Sequence, residues 1–371
     1  MKLDRMLDRI EVTGFKSIRK LELDLSSLNV LIGANGAGKS NFIALFELLN
    51  YIVEGKFQSF VARAGGAESF LYYGQKVTEN IYVKLNFGPN AYECTWLPTV
   101  NDELFFDEEV SSLHAYGHPT KHYMGSGHKE SKLAIRSKYN TGNNPTNIEA
   151  YVLDSLKSWK FYHFHDTSVS AAVKKPRDIN DNIYLRHDAS NLAAFLYMLQ
   201  RTKKEHYSAI RDTVRLVTPI FDDFLLRPHP ENENMIRLEW REKGSDFSFQ
   251  AYHLSDGTLR FICLATLLLQ PEMPSTILID EPELGLHPYA IVVLASLMKS
   301  AAKRTQLIVS TQSVSLVNQF DAEDLLVVER REHDHKYETV IGRVDSEKLD
   351  AWLEEYALGE LWEKNVLGGR P

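Results

Sequence analysis

The sequence predicts an α/β fold: a mixed central sheet flanked by helices, an antiparallel β lobe beside it, and an inserted α/β lobe. Three observations carry this expectation. The segment Gly33-Ala34-Asn35-Gly36-Ala37-Gly38-Lys39-Ser40 has the spacing GxxxxGK[ST] and stands between an apolar run and a helical pattern. Two further apolar runs, 276–279 and 307–309, end in polar residues, as buried strands do when they deliver side chains to one sheet edge. Alternating segments in 8–32 and 80–96 suit antiparallel strands.

Residues 8–32 read as two strands followed by a central one, Leu28-Asn29-Val30-Leu31-Ile32. After the glycine-rich loop, Phe42, Leu45, Phe46, Leu49, Ile52 and Val53 recur at helical spacing, with Gly55 as a stop. Strand, loop and helix in that order let backbone N–H groups converge on phosphate, helped by the helix N-terminus. Gly33, Asn35, Gly36, Ala37, Gly38 and Asn41 are the expected nucleotide-binding positions around Lys39 and Ser40. Lys39 supplies a point charge for the β- and γ-phosphates, and the Ser40 hydroxyl a magnesium ligand.

Ile81, Val83, Leu85 and Phe87 fall on one face of a hairpin that turns at Gly88-Pro89-Asn90. Residues 110–147, rich in Ser, Gly, His, Lys and Asn, read as a loop, a mobile lid or part of an insertion. Trp159–Phe164 reads as a strand, 190–218 as helical, and 235–240 and 246–251 as strands. The expected division is 1–96 and 251–371 as two parts of one head, with 97–250 as an inserted, partly helical lobe. Ser255 is a reasonable N-cap for a buried helix running to Leu269. The run Thr276-Ile277-Leu278-Ile279-Asp280-Glu281 delivers two carboxylates: Asp280 to hold magnesium with Ser40, and Glu281 to orient or deprotonate the attacking water.

Together, these segments resemble the ABC-type ATPase heads of the SMC, RecF and OLD group. Gly33–Ser40, Leu254-Ser255-Asp256-Gly257-Thr258-Leu259-Arg260 and Thr276–Pro282 look like their Walker A, signature and Walker B motifs. The opening Ile10-Glu11-Val12-Thr13-Gly14-Phe15-Lys16-Ser17-Ile18 is similar to their first strand and turn, which implies that Lys16 and Ser17 lie near the nucleotide. The resemblance implies ATP and Mg2+ as cofactors and a head-to-tail dimer in which Ser255 and Gly257 complete the partner subunit's site. It also puts Gln312 where many relatives carry a switch histidine; glutamine can donate a hydrogen bond there but cannot titrate. His165 or Asp166, with Gln75 as a rival, would make the contact of a Q-loop glutamine, and a plain polar turn at 163–168 is the alternative. The closing Leu358-Gly359-Glu360-Leu361-Trp362 and Leu367-Gly368-Gly369-Arg370-Pro371 resemble a bacterial family of stand-alone RecF-like predicted ATPases.

That resemblance implies a slow ATPase acting as a switch for a separately encoded effector, such as a nuclease, in defence against phages. A RecF-like DNA-repair clamp is the alternative. About 215 residues separate Ser40 from Ser255, too few for a long heptad arm. About 60 residues follow Gln312, too few for an appended Toprim nuclease domain.

A net charge of −8 gives no global footprint for nucleic acid. Lys174-Lys175-Pro176-Arg177 and Arg201-Thr202-Lys203-Lys204 are local basic clusters, for which solvated faces are the plainer reading and DNA contact the alternative. With no run of transmembrane length and no apolar leader, a cytoplasmic protein with no membrane partner is expected. Cys94 and Cys263 lie in no metal or redox motif and read as core residues. His114, His118 and His122 are four apart, but Gly117 and Pro119 interrupt any helix that would align them, so loop histidines are expected rather than metal ligands.

Overall fold

The computed structural model describes residues 5–115, 118–139, 147–345, 349, 352 and 355–369. Two six-stranded sheets organise them. The first is antiparallel, in the order β2-β1-β4-β5-β6-β7. It is built from β1 (Arg9–Phe15), β2 (Ile18–Asp24), β4 (Ile81–Phe87), β5 (Asn90–Pro98), β6 (Leu104–Ala115) and β7 (His118–Gly125). The second has the order β18-β17-β3-β16-β15-β8. Its strands are β3 (Leu28–Ile32), β8 (Trp159–Tyr162), β15 (Thr276–Asp280), β16 (Gln306–Thr311), β17 (Leu325–His333) and β18 (Lys336–Arg343). All neighbours in it are parallel except β17 and β18, which form a hairpin.

Parallel strands need crossovers, and covering both faces makes their residues apolar throughout. On β3, Leu28, Val30 and Ile32 join one core while Leu31 joins the other; on β15, Ile277 and Ile279 oppose Leu278 in the same way. One core is shared with the antiparallel sheet and α1 (Lys39–Val53), α2 (Phe57–Arg63), α3 (Leu133–Tyr139) and α4 (Ile148–Lys157). The other takes α5 (Leu192–Thr202), α6 (Lys204–Val217), α7 (Asp256–Leu269), α8 (Pro288–Ala301), α9 (Val314–Val317) and α10 (Leu358–Glu363).

The two regions expected to be loop and separate lobe differ from expectation. Residues 110–115 and 118–125 are strand, with β6 and β7 pairing across Val110–Tyr123 through Ala115–His118, and α3 follows. Their polar side chains do not prevent pairing, because buried Ser111 and part-buried His122 both bond Glu149 while Lys121 and Tyr123 face water. The segment 97–250 does not stand apart as an inserted lobe. It supplies β6 and β7 to the antiparallel sheet, β8 to the parallel sheet and helices to both cores. Only small sheets are its own: β10 (Phe221–Phe224), β13 (Glu239–Glu242) and β14 (Phe249–Gln250) in one, β9 (Arg177–Asp178), β11 (Pro228–His229) and β12 (Asn232–Ile236) in another.

Candidate active site

Strand order decides the site. β16 lies between β3 and β15, and all three are parallel, so their carboxyl ends emerge side by side. From β3 comes the glycine-rich loop, from β15 Asp280 and Glu281, from β16 Gln312. A cavity of about 150 Å3 is lined by residues 34–36 and 38–41, Asp280, Glu281 and Gln312. Larger cavities exist, one of about 490 Å3 beside β8, but the loop and the carboxylates line none of those.

Helix α1 starts at Lys39 after Gly38, which sits at φ 117° and has no side chain with which to cap it. Its first N–H groups are therefore orphan donors facing the cavity, which suits an anion. Lys39 is buried and turned onto its own loop, donating to Gly33 O at 2.5 Å and Ala34 O at 3.1 Å. Burial pushes its ammonium below the usual lysine range, with Glu281, Asp280 and Glu283 opposing. Asn41 donates to Ser17 Oγ at 2.6 Å, and the Thr339 hydroxyl on β18 donates to Ala37 O at 2.8 Å while sharing a hydrogen bond with Ser17 Oγ at 2.7 Å. Ser17 thus stands behind the loop rather than in the cavity. Lys16, at φ 49°, lays its ammonium over the Phe70 ring at 5.3 Å.

On the carboxylate wall, Ser310 Oγ donates to Asp280, and Gln312 Nε2 donates to Glu281. Glu281 sits at φ 41°, unusual for a residue with a Cβ, while its N–H donates to Ser310 O at 2.9 Å. Glu283 is buried behind them and accepts from Thr311 Oγ1 at 2.5 Å. Burial raises its carboxyl above the ordinary range. His165 Nε2 hydrogen-bonds Asp280 O at 2.9 Å, so of the Q-loop candidates His165 reaches the carboxylate strand. Gln75 instead donates its backbone N–H to Glu68 at 3.1 Å. His163 meets Glu47 of α1 at 3.8 Å.

Ser255 and Gly257 do not line this cavity. Ser255 is exposed and caps α7, accepting from Thr258 N at 3.1 Å. Gly257 is needed locally, because a Cβ there would overlap Gly285 O. Arg260, one turn on, is buried and donates to Phe164 O at 2.9 Å, His165 O at 3.1 Å and Leu284 O. Burial lowers its pKa from the usual arginine value. It ties the start of α7 to the loops after β8 and β15. Sequence reasoning missed the roles of Arg260, Ser310, Glu283 and Thr339. Only Arg260 carried a signal, a charge inside an apolar helix.

His122 bonds Glu149 at 2.7 Å and His114 lies 3.4 Å from Ser112, while the side chain of His118 lies outside the described ones. Among the described residues no group of three or more His, Cys, Asp or Glu is placed to hold a metal ion. Cys94 and Cys263 are free and buried, and no described helix is long and apolar enough to cross a membrane.

Three comparisons bear on this arrangement. A family model described as "AAA domain, putative AbiEii toxin, Type IV TA system" matches residues 94–318, and one described as a protein of unknown function, DUF2813, matches 5–62. No curated protein matches in sequence. Among solved structures, an SMC head bound to the C-winged-helix domain of ScpA aligns with TM-score 0.50 and 15% identity, covering 92% of this chain and 99% of its own. An SMC head with an extended coiled coil, bound to a ScpA domain from Pyrococcus furiosus, gives 0.49 and 16% over 94% and 98%. The Thermotoga maritima SMC head domain gives 0.45 and 16% over 91% and 99%. Because that first family model matches residues 94–318, more than half of the chain, the chain belongs to the family of AAA domains described as putative AbiEii toxins of type IV toxin–antitoxin systems, and it has the fold of an SMC-like, ABC-type ATPase head.

Proposed function

We propose that the chain binds and slowly hydrolyses ATP with Mg2+, closing head to tail on a second copy and so acting as a nucleotide-dependent switch. One observation carries the reading: the glycine-rich loop, Asp280, Glu281 and Gln312 share one cavity at a parallel sheet edge, while Ser255 sits exposed at a different helix N-terminus. Lys39, Gly33, Asn35, Gly36, Ala37, Gly38 and Asn41 surround the phosphates, and Ser40 with Asp280 holds the cation. Glu281 positions the attacking water, with Gln312 holding its carboxylate. Catalysis of this kind rests on positioning and charge stabilisation rather than covalent chemistry. Ser255 and Gly257 then complete the site of the other copy, and Ser17 and Lys16 support the loop. The partner served by the switch is a separately encoded effector such as a nuclease, acting in defence against phage; the toxin–antitoxin description of the family is the supporting analogy.

The test is the mass in solution of Glu281→Gln with saturating ATP and magnesium. A dimer that reverts to monomer without nucleotide is expected; a monomer under both conditions rejects the head-to-tail site. Co-purification with the products of neighbouring genes, with and without ATP, tests the effector. A head that instead recovers only DNA, and whose hydrolysis DNA stimulates with a steep salt dependence, replaces the effector with a DNA clamp.

A further inference from the structure

We infer that the segment from Gly359 to Gly369 is a brace that positions the phosphate loop, so that nucleotide affinity depends on residues outside the cavity. The inference rests on the ATP reading of that cavity. It starts from a gap in the sheet. The ladder between β17 and β3 ends at Val327 opposite Ile32, so Gly33, where the loop leaves the sheet, has no strand partner on that side. Its support comes from packing instead. A Cβ at Gly33 would overlap Val328 O, and a Cβ at Gly369 would stand 3.0 Å from the same oxygen, 2.8 Å from Val327 Cγ1 and 3.5 Å from Gly33 Cα. The backbone of residue 369 therefore lies against the first glycine of the loop, at a φ of 57° that glycine adopts without strain.

Both polar groups of Gly369 are fixed. Its N–H donates to Glu329 Oε1 at 2.7 Å, and its carbonyl accepts from Trp362 Nε1. Trp362 is fully buried on α10. The other end of α10 is seated as closely: Gly359 N donates to Asn318 Oδ1 at 2.6 Å, and a Cβ at Gly359 would lie 2.7 Å from Val314. Val314 opens α9, two residues after Gln312. One short segment thus touches both walls of the site from behind, the start of the phosphate loop and the chain just after the glutamine. That accounts for Trp362, Gly359 and Gly369, to which the cavity itself assigns no role. Packed interiors transmit such contacts because they deform little.

The test compares affinity for a fluorescent ATP analogue with melting temperature in Glu329→Ala, Glu329→Gln, Trp362→Phe and Gly369→Val. Val83→Ala, in the antiparallel sheet, serves as a control for general loss of stability. Glu329→Ala and Gly369→Val are expected to weaken binding about tenfold, a 1.4 kcal/mol change, with Trp362→Phe in the same direction. Glu329→Gln keeps an oxygen that accepts from Gly369 and should bind within about twofold of wild type. Should Gly369→Val not fold, the Ala and Gln pair at 329 decides alone. Unchanged affinity in the Ala variant, or equal loss in Val83→Ala at the same melting temperature, overturns the brace. A wild type that does not bind the analogue overturns the ATP reading and the brace with it.

Discussion

The phosphate loop and the Ser255 segment are both glycine-bearing turns opening a helix, yet their polar groups are treated in opposite ways. The loop is held on all sides by its own chain: Lys39 by two carbonyls, Asn41 by Ser17, Ala37 by Thr339. The Ser255 segment is exposed at residues 255 and 256, and its hydroxyl bonds only within its own first turn. What is fixed there lies one turn deeper, where Arg260 anchors α7 to two loops. A site finished within one chain needs the first arrangement. A surface held ready for something outside the chain needs the second.

Lys39→Ala should break the comparison most completely. Nucleotide affinity should fall at least about 100-fold, some 2.7 kcal/mol, as read by calorimetric titration. Stability should not fall with it. The cost of burying the Lys39 ammonium exceeds the attraction of Glu281, Asp280 and Glu283, so removing it relieves a net penalty, and the melting temperature should hold or rise. Retained tight binding would discard the site. Glu281→Gln comes next, with kcat down about 100-fold or more and nucleotide affinity kept, because a water-positioning carboxylate acts on the chemical step. An equal loss in affinity would place Glu281 in binding instead.

Most of this contrast is legible in the sequence, for a physical reason. Phosphate loops, strand-end carboxylates and caps are local arrangements, so the residues that matter are neighbours in the chain, and 28–53 and 254–281 fold as they read. What joins them is not local. Thr339 reaches Ala37, Arg260 reaches Phe164, and Gly369 reaches Gly33 only because β18, β17, β3 and β8 share a sheet whose order no short window contains. The hairpin of β6 and β7 escaped notice for a different reason. Its strands carry Glu109, Ser111 and His122, polar residues that are satisfied by Tyr92, Glu149, His128 and Ser131 once folded. Such strands have no apolar alternation to find.

Ser255→Arg sharpens the other half of the comparison. The exposed side chain can be enlarged at the cost of one cap, about 1 kcal/mol of stability. Affinity of the single chain for nucleotide should stay within about twofold, since Ser255 does not line the cavity, while kcat should fall about tenfold or more through loss of the closed dimer. If single-turnover hydrolysis proceeds at the wild-type rate, the outward-facing role is wrong and Ser255 is a cap only.

The smallest effect concerns the joint between the two halves. His163 follows β8 and meets Glu47 on α1, so it links the loop that Arg260 holds to the helix that opens the phosphate site. The Glu47 carboxylate raises the imidazole pKa above its ordinary 6.5, with burial opposing. A raised folded-state pKa contributes stability that is complete below about pH 6.5 and lost as pH rises through the folded value. Both side chains are more than a third exposed, so the contribution is screened and small. His163→Gln should therefore lower the melting temperature slightly at pH 6 and not at pH 8.5, and Glu47→Gln should do the same. A loss of equal size at both pH values would mean that His163 acts by packing, and that the two halves are joined through Arg260 without an ionic component.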